Sequence, residues 1–340
     1  MPRDSGSERR YCIDQITPHE LLRPRRERGA VGARALILFR KIWINGSTLR
    51  VRFMGGTAAQ RRTVTDNAVE WTRHANLSFD FTDDPAAEIR VSFVPGAGSW
   101  STLGTDARSV PQHQPTMNLG WQDRAVVLHE FGHAIGLGHE HKSPAGGILW
   151  NEDVVIRDLS GPPNNWTVEE IRVNVLDKYR SDQIRATSFD PDSIMLYFFP
   201  DSWVANGPGT TENTELSATD RAFIASRAAY PGRGAADAVT LAVGAAPLAA
   251  SIGQPGEEDL YAFDARNDGR YRIETGGDTD LMMKLYGPDS RTDLLEENDD
   301  SGPGLNPRIV RDLTAGRYVV QVRHFNLQNG TGEYSISVSR

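Results

Sequence analysis

Cysteine is almost missing from this chain: Cys12 stands alone among 340 residues. With a single thiol no intrachain disulfide can form, so burial and hydrogen bonding must hold the fold without covalent staples. Also missing is any apolar run near the roughly 20 residues that a membrane-spanning helix needs. At 39% hydrophobic and 24% charged, the composition is that of an ordinary globular protein, and we expect no transmembrane segment. Positive charge is scarce too. The formal net charge is -8, which argues against nucleic acid as a partner, because phosphate binding needs a clustered cationic surface. One basic stretch, Leu22-Arg23-Pro24-Arg25-Arg26-Glu27-Arg28, reads either as a solvated arm or as a protease processing site. Residues 1–20 lack an apolar h-region, so no secretory signal is legible.

What is present suggests two domains, since the length exceeds that of a typical single domain. We expect an N-terminal arm over 1–30 that is a candidate pro-segment, an α+β domain over 31–235 and an all-β antiparallel sandwich over 236–340. Ala35–Phe39 and the alternating Leu49–Phe53 read as strands. Thr57 can cap a helix whose face carries Val64, Ala68, Trp71 and Ala75 at helical spacing, a core stripe rather than a ligand site. Leu77–Phe81 and Glu88–Phe93 alternate with period two and should join the same twisted sheet, followed by a loop-rich stretch from Pro95 to Gln122. Asp123 can cap a helix running into a histidine cluster, with Gly136 and Gly138 ending it. Thr167-Val-Glu-Glu170 has capping-box spacing ahead of Ile171, Val175, Leu176 and Tyr179, which predicts a substantial helix, and Ser217–Asp220 starts another. A Gly- and Ala-rich stretch to about Ser251 reads as a linker or a loosely held first strand. Beyond it, short alternating runs at 259–263, 270–273, 282–286, 317–323 and 332–338 are separated by turn residues, as in a sandwich.

The chemistry concentrates in His129-Glu130-Phe131-Gly132-His133-Ala134-Ile135-Gly136-Leu137-Gly138-His139. Residues four apart share a helix face, so His129 and His133 can offer two imidazole nitrogens to one metal. Catalytic zinc keeps three protein ligands and an open position, and His139 is the third candidate, with Gly136 admitting the sharp turn that returns it. Glu130 lies beside such a metal, placed as a general base for water. A bare His-Glu-x-x-His is a weak signal; the extended form is far rarer. The remaining histidines, His19, His74, His113, His141 and His324, have no ligand spacing and read as surface or loop residues.

A second element agrees: Asp192-Ser193-Ile194-Met195-Leu196-Tyr197 resembles the Met-turn under the zinc site of metzincin proteases. Together with Glu140 after His139, these residues make the stretch from about 31 to 232 similar to the astacin family of metallopeptidases. The resemblance implies a zincin fold of twisted sheet and active-site helix, one catalytic Zn2+, and protein or peptide substrates cleaved as an endopeptidase. It further implies that Met195 is an apolar floor, that Tyr197 is a zinc ligand at rest and an oxyanion stabiliser in catalysis, and that Glu140 sits behind the site against the mature N-terminus. Three departures mark the chain: Leu196 replaces the family's histidine, the disulfide cysteines are absent, and His141-Lys142-Ser143-Pro144 replaces an Arg-rich continuation. A divergent microbial branch fits these differences. Serralysins share the tyrosine, but their Gly- and Asp-rich calcium repeats are missing here.

From Val239 to Arg340 the runs Asp259–Phe263, Asp278–Leu281, Leu313–Tyr318 and Gly332–Ser335 resemble the bacterial pre-peptidase C-terminal domain, which implies export. Asp278, Asp280, Asp299 and Asp300 are candidates for calcium, although Asp is favoured in turns on its own account and the plainer reading is preferred. Cys12 reads either as an ordinary free thiol or as an inhibitory ligand on the open zinc position. The competing function is a secreted zinc-binding or adhesion protein, catalytically inactive and acting through the sandwich; intact Glu130 argues against it. Cleavage specificity and oligomeric state are not encoded in any pattern here.

Overall fold

Among the described residues strand and helix alternate along the first two thirds of the chain and only strands follow, so apolar faces have to be buried in two different ways. The computed structural model describes residues 34–38, 41–144, 146–162, 164–179, 184–232 and 238–340. The N-terminal arm, the basic stretch and Cys12 lie outside the described residues. The chain divides into two compact units: one holds the described residues up to Trp43, Leu49–His74 and Phe79–Ile224, and the other holds Ile44–Thr48, Ala75–Ser78 and the described part of Ala225–Arg340.

In chain order the first unit contains β1 (Arg34–Leu38), β2 (Thr48–Phe53), α1 (Ala58–Thr72), β3 (Ser78–Phe81), β4 (Ile89–Ser92), β5 (Ser99–Ser101), β6 (Met117–Leu119), α2 (Arg124–Ala134), α3 (Glu152–Ser160), α4 (Val168–Ile171), β7 (Ile184–Thr187) and α5 (Ala218–Ile224). Five strands form one sheet in the order β3-β2-β4-β6-β5; β2, β4 and β6 run parallel and β5 antiparallel to β6. β1 pairs antiparallel with β7 in a separate two-stranded sheet, so, contrary to expectation, it does not share a sheet with β2. The Thr57 capping box forms as expected, with the Gln60 side chain returning the bond to the Thr57 amide. Val64, Ala68, Trp71 and Ala75 are all fully buried. Trp71 does more than fill space, because its indole Nε1 donates 2.8 Å to the Leu128 carbonyl of α2.

Four further expectations need correcting. Every residue of β4 is buried, Arg90 included, where alternation predicts a wet face; an interior parallel strand is covered on both sides. The Arg90 guanidinium is satisfied by the carbonyls of Ala87, Val110 and Gln114 and by Gln112 Oε1. The stretch from Pro95 to Gln122 contains β5 and β6, each too short to leave a periodic trace. The helix after Thr167 keeps its capping box but has only four α-helical residues before a π-helical turn over Arg172–Leu176. There the Asn174 side chain takes the Glu170 carbonyl at 2.8 Å, competing with the backbone ladder, and Asp177 N bonds Arg172 O instead. Finally, α3 has no counterpart among the expected elements; Val155 and Leu159, one turn apart, are its buried residues, with Val154 and Ile156 packed beside them.

The second unit contains β8 (Val239–Thr240), β9 (Leu248–Ile252), β10 (Asp259–Ala265), β11 (Gly269–Gly276), β12 (Leu281–Tyr286), β13 (Leu294–Asn298), β14 (Arg308–Leu313), β15 (Gly316–His324) and β16 (Gly332–Ser339). They form sheets in the orders β13-β12-β15-β10-β8 and β14-β11-β16-β9. One apolar cluster, including Phe263, Ile273, Leu285, Ile309, Val320 and Ile336, draws on both sheets, as a sandwich core does. The antiparallel expectation holds for the long strands, while the two-residue β8 pairs parallel with β10. The stretch read as a linker or a loosely held first strand contains β8 and β9, the latter paired with β16.

Trp71 joins α1 to α2, so its truncation tests how far α2 depends on that packing. Trp71→Ala is expected to destabilise the first unit by about 3–5 kcal/mol, measured by calorimetric or denaturant unfolding of the full chain. A loss under about 1 kcal/mol would show that the site tolerates collapse.

Candidate metal centre

The centre is built on α2. The Asp123 side chain accepts from Val126 N at 2.9 Å and caps its start. From Val127 to Ala134 every residue is buried, so this helix runs through the interior rather than along the surface. It stops where Gly136 takes φ +97°, a left-handed conformation that side chains resist. Gly136 N returns to His133 O at 2.8 Å and Leu137 N to Gly132 O at 3.0 Å, while the Trp43 indole donates to the Ala134 carbonyl at 2.9 Å. A Cβ on Gly136 would also press against Lys41 O and the Ile42 side chain, each at 3.2 Å. The chain therefore folds back and carries His139 to the face already occupied by His129 and His133.

The three Nε2 atoms converge at 3.1 Å (His129 to His133), 3.0 Å (His133 to His139) and 3.2 Å (His129 to His139). His129 Nδ1 lies 2.8 Å from Ile194 O and His133 Nδ1 2.8 Å from Leu137 O. A carbonyl can only accept, so both Nδ1 atoms carry the proton and both Nε2 atoms are bare lone pairs. Bare lone pairs facing one another in a buried site repel, and a shared cation removes the repulsion. Tetrahedral imidazole nitrogens bound at 2.0–2.1 Å would stand about 3.3 Å apart, close to the spacing observed. Among the described residues this is the one group of His, Cys, Asp or Glu whose ligand atoms all lie within 4.8 Å of one another. Asp278, Asp280, Asp299 and Asp300 are not brought into such a group.

Glu130 follows His129 on α2 and is buried with it. The Tyr197 ring, from beyond the Met-turn, stacks on His129 with centroids 5.1 Å apart and approaches His139 at 4.4 Å. Met195 packs from below: a Cβ on Gly132 would collide with its Sδ and lie 3.1 Å from Trp71 Cζ2. Met195 O also accepts from Glu140 N at 3.0 Å. Glu140 is buried, its Oε1 accepting from Asp190 N at 2.9 Å. Burial pushes its carboxyl up to about 7, and the nearby Asp220 and Asp190 charges push the same way. The N-terminal partner implied for Glu140 lies outside the described residues.

Three residues of the site escape sequence reasoning. Gly132 sits inside the motif but its need for a bare Cα comes from Met195, far along the chain. His141, expected at the surface, is fully buried; its Nε2 lies 3.1 Å from Asn174 O, and its ring packs 5.2 Å from His139 and 5.3 Å from Tyr197. Aromatic neighbours from Trp150 and Phe199 cover it, which no local pattern announces. Asp220 is buried as well and binds the Met-turn. Of the other histidines, His113 is exposed, His74 and His324 are half-buried, and His19 lies outside the described residues.

The model of the Astacin peptidase family matches residues 38–211. Zinc metalloproteinase nas-30 of Caenorhabditis elegans is 25% identical over 127 residues, a stretch spanning 37% of this chain and 16% of that protein. The structure of myroilysin is 38% identical, covering 56% of this chain and 97% of its own, with a TM-score of 0.55. The pre-peptidase C-terminal domain of a collagenase from Bacillus anthracis aligns at 17% identity over 30% of this chain and 94% of its own, with a TM-score of 0.26.

The Gly132 contact gives a local test of the floor under the histidines. Gly132→Ala is expected to cost about 1–3 kcal/mol through overpacking and to weaken metal retention in chelator competition. Unchanged unfolding and unchanged retention would mean that Met195 moves aside freely.

Proposed function

The chain belongs to the astacin family of peptidases, and residues 38–211 form its zinc metallopeptidase module; on that premise we propose that the protein is an endopeptidase in which Glu130 is the general base and Tyr197 the oxyanion donor. His129, His133 and His139 are the zinc ligands in this reading. The observation that carries it is the convergence of three buried Nε2 atoms next to a buried glutamate on the helix that supplies two of them.

Zinc bound there supplies a positive charge that acidifies a water within reach and polarises the scissile carbonyl. Glu130 takes the proton of the attacking water and hands it to the leaving amine. The Tyr197 phenol donates a hydrogen bond to the oxygen that becomes negative as the carbonyl turns tetrahedral. Its backbone is held for that task, since the Thr210 hydroxyl donates to Tyr197 O at 2.5 Å while accepting from Phe199 N at 2.6 Å. Ring stacking on His129 supports the assignment, because it keeps the phenol at the rim of the ligand set.

Substrates are proteins or peptides, and we read the protein as exported. Support comes from the sandwich sequence, which resembles pre-peptidase C-terminal domains; no helix among the described residues is long and apolar enough to cross a membrane. Calcium has no part in this reading.

Comparing wild type with Glu130→Ala on a quenched, unfolded protein substrate, after zinc content is matched, tests the base. Turnover is expected to fall roughly 10²–10⁴-fold in the variant with zinc retained; two zinc-loaded, equally inactive proteins would favour a binding protein acting through the sandwich. Tyr197→Phe is expected to lower kcat about 10²–10³-fold with KM little changed. A loss confined to KM would remove the oxyanion role.

A further inference from the structure

The carbonyl that orients His129 belongs to a turn that is neither helix nor strand. Ile194 O accepts from His129 Nδ1 at 2.8 Å, yet Ser193–Leu196 has no sheet or helix ladder to fix where that oxygen points. A buried carboxylate from the far end of the unit does so. Asp220, in the first turn of α5, accepts from Ile194 N at 2.8 Å and from Ser217 N at 2.9 Å through Oδ2, and from Ser193 Oγ at 2.8 Å through Oδ1. Ser193 Oγ in turn accepts from Met195 N at 3.1 Å. Asp220 N bonds Ser217 Oγ at 2.9 Å, which locks the carboxylate to the start of its own helix.

We propose that Asp220 is a positioning residue for zinc: by fixing the Ile194 peptide it sets the direction of the His129 ring. The carboxylate holds the two peptide units that flank Ile194, since Ile194 N is bonded directly and Met195 N, in the unit that carries Ile194 O, through Ser193. With both amides fixed the Ile194 carbonyl is directed at His129 on α2. Three acceptor bonds use most of the carboxylate's four lone-pair positions, so the arrangement is close to saturated. His133 has a different anchor, Leu137 O, which lies in the turn after α2, where the Leu137 amide bonds back to Gly132 O rather than to the Met-turn. The two ligand imidazoles are therefore held independently, and loss of Asp220 should loosen one and spare the other.

This inference rests on the reading of the three histidines as zinc ligands. The test uses the full chain loaded with Zn2+ and compares Asp220→Ala, Asp220→Asn and Leu159→Ala, the last a truncation in the apolar cluster that also holds Leu196, which removes packing beside the turn and none of its hydrogen bonds. Zinc affinity is measured by chelator competition, and exchange of the two Nδ1 protons is followed by NMR. Asp220→Ala is expected to weaken zinc by about 10–100-fold, as loss of an outer partner does, and to speed exchange of the His129 Nδ1 proton while the His133 proton is unchanged. Asp220→Asn, which keeps the shape and an acceptor oxygen, is expected to lie between it and wild type, and it decides the matter if the alanine variant does not fold. Leu159→Ala should lower the unfolding temperature with zinc affinity kept. Zinc affinity within twofold of wild type in both Asp220 variants, or equal loosening of the two Nδ1 protons, would overturn the proposal. Zinc retained at full affinity in His133→Ala would instead overturn the ligand reading.

Discussion

Three imidazole Nε2 atoms within 3.2 Å of one another, two of them bare lone pairs, form an arrangement that a shared cation stabilises. His129 and His133 each carry a partial negative lone pair into a site where burial strips away solvent screening. Metal affinity and local folding are thus one free energy: the more firmly the apoprotein holds the rings in place, the less ordering is left for the ion to impose. The surroundings show how the chain meets that demand. Asp123 starts the helix, Gly136 turns it, Trp43 closes its last carbonyl, and two separate backbone oxygens choose the tautomers.

Two glycines in the motif serve different constraints. Gly136 is required by conformation, since φ +97° strains any residue with a Cβ. Gly132 is in ordinary helix and could be alanine as far as the backbone is concerned, where alanine would even add about 1 kcal/mol of helix propensity. What forbids it is Met195, whose sulfur occupies the space a Cβ would need. The same contact explains why the floor is methionine: an unbranched, polarizable side chain can lie flat against a bare helix backbone between two ligand positions.

This division also marks how much was legible in the sequence. His129, Glu130, His133 and the turn at Gly136 follow from helical period and backbone conformation, both local properties. The stripe of α1 and the long strands of the sandwich are legible for the same reason, because a repeated face needs a repeated pattern. Arg90 is not, since its burial depends on whether β4 is an edge or an interior strand, and only the assembled sheet decides that. Nor is His141, whose neighbours Trp150, Phe199 and Asn174 arrive from three other segments. The π-turn after Ile171 depends on one amide, Asn174, choosing a backbone carbonyl over solvent. Local signals survive in sequence; side chains that answer to distant partners do not announce them.

The missing disulfides bear on how these distant partners are joined. A disulfide acts chiefly on the unfolded chain, and it constrains a distance more than a direction. A buried carboxylate with several donors constrains direction, because each hydrogen bond weakens steeply as its angle opens. Asp220 does this for the Met-turn. In the second unit Tyr334 donates to Asp259 at 2.5 Å and shares a 2.7 Å bond with Tyr261, which links β16 of one sheet to β10 of the other. Burial pushes the Tyr261 phenol up to about 12, so the link stays protonated and able to donate far above neutral pH. Such ties are cooperative: a half-satisfied buried network costs more than an apolar one, so each must be complete or absent. A chain with one cysteine has in this way placed its cross-links where orientation matters, at the turn behind the zinc ligands and between the faces of the sandwich.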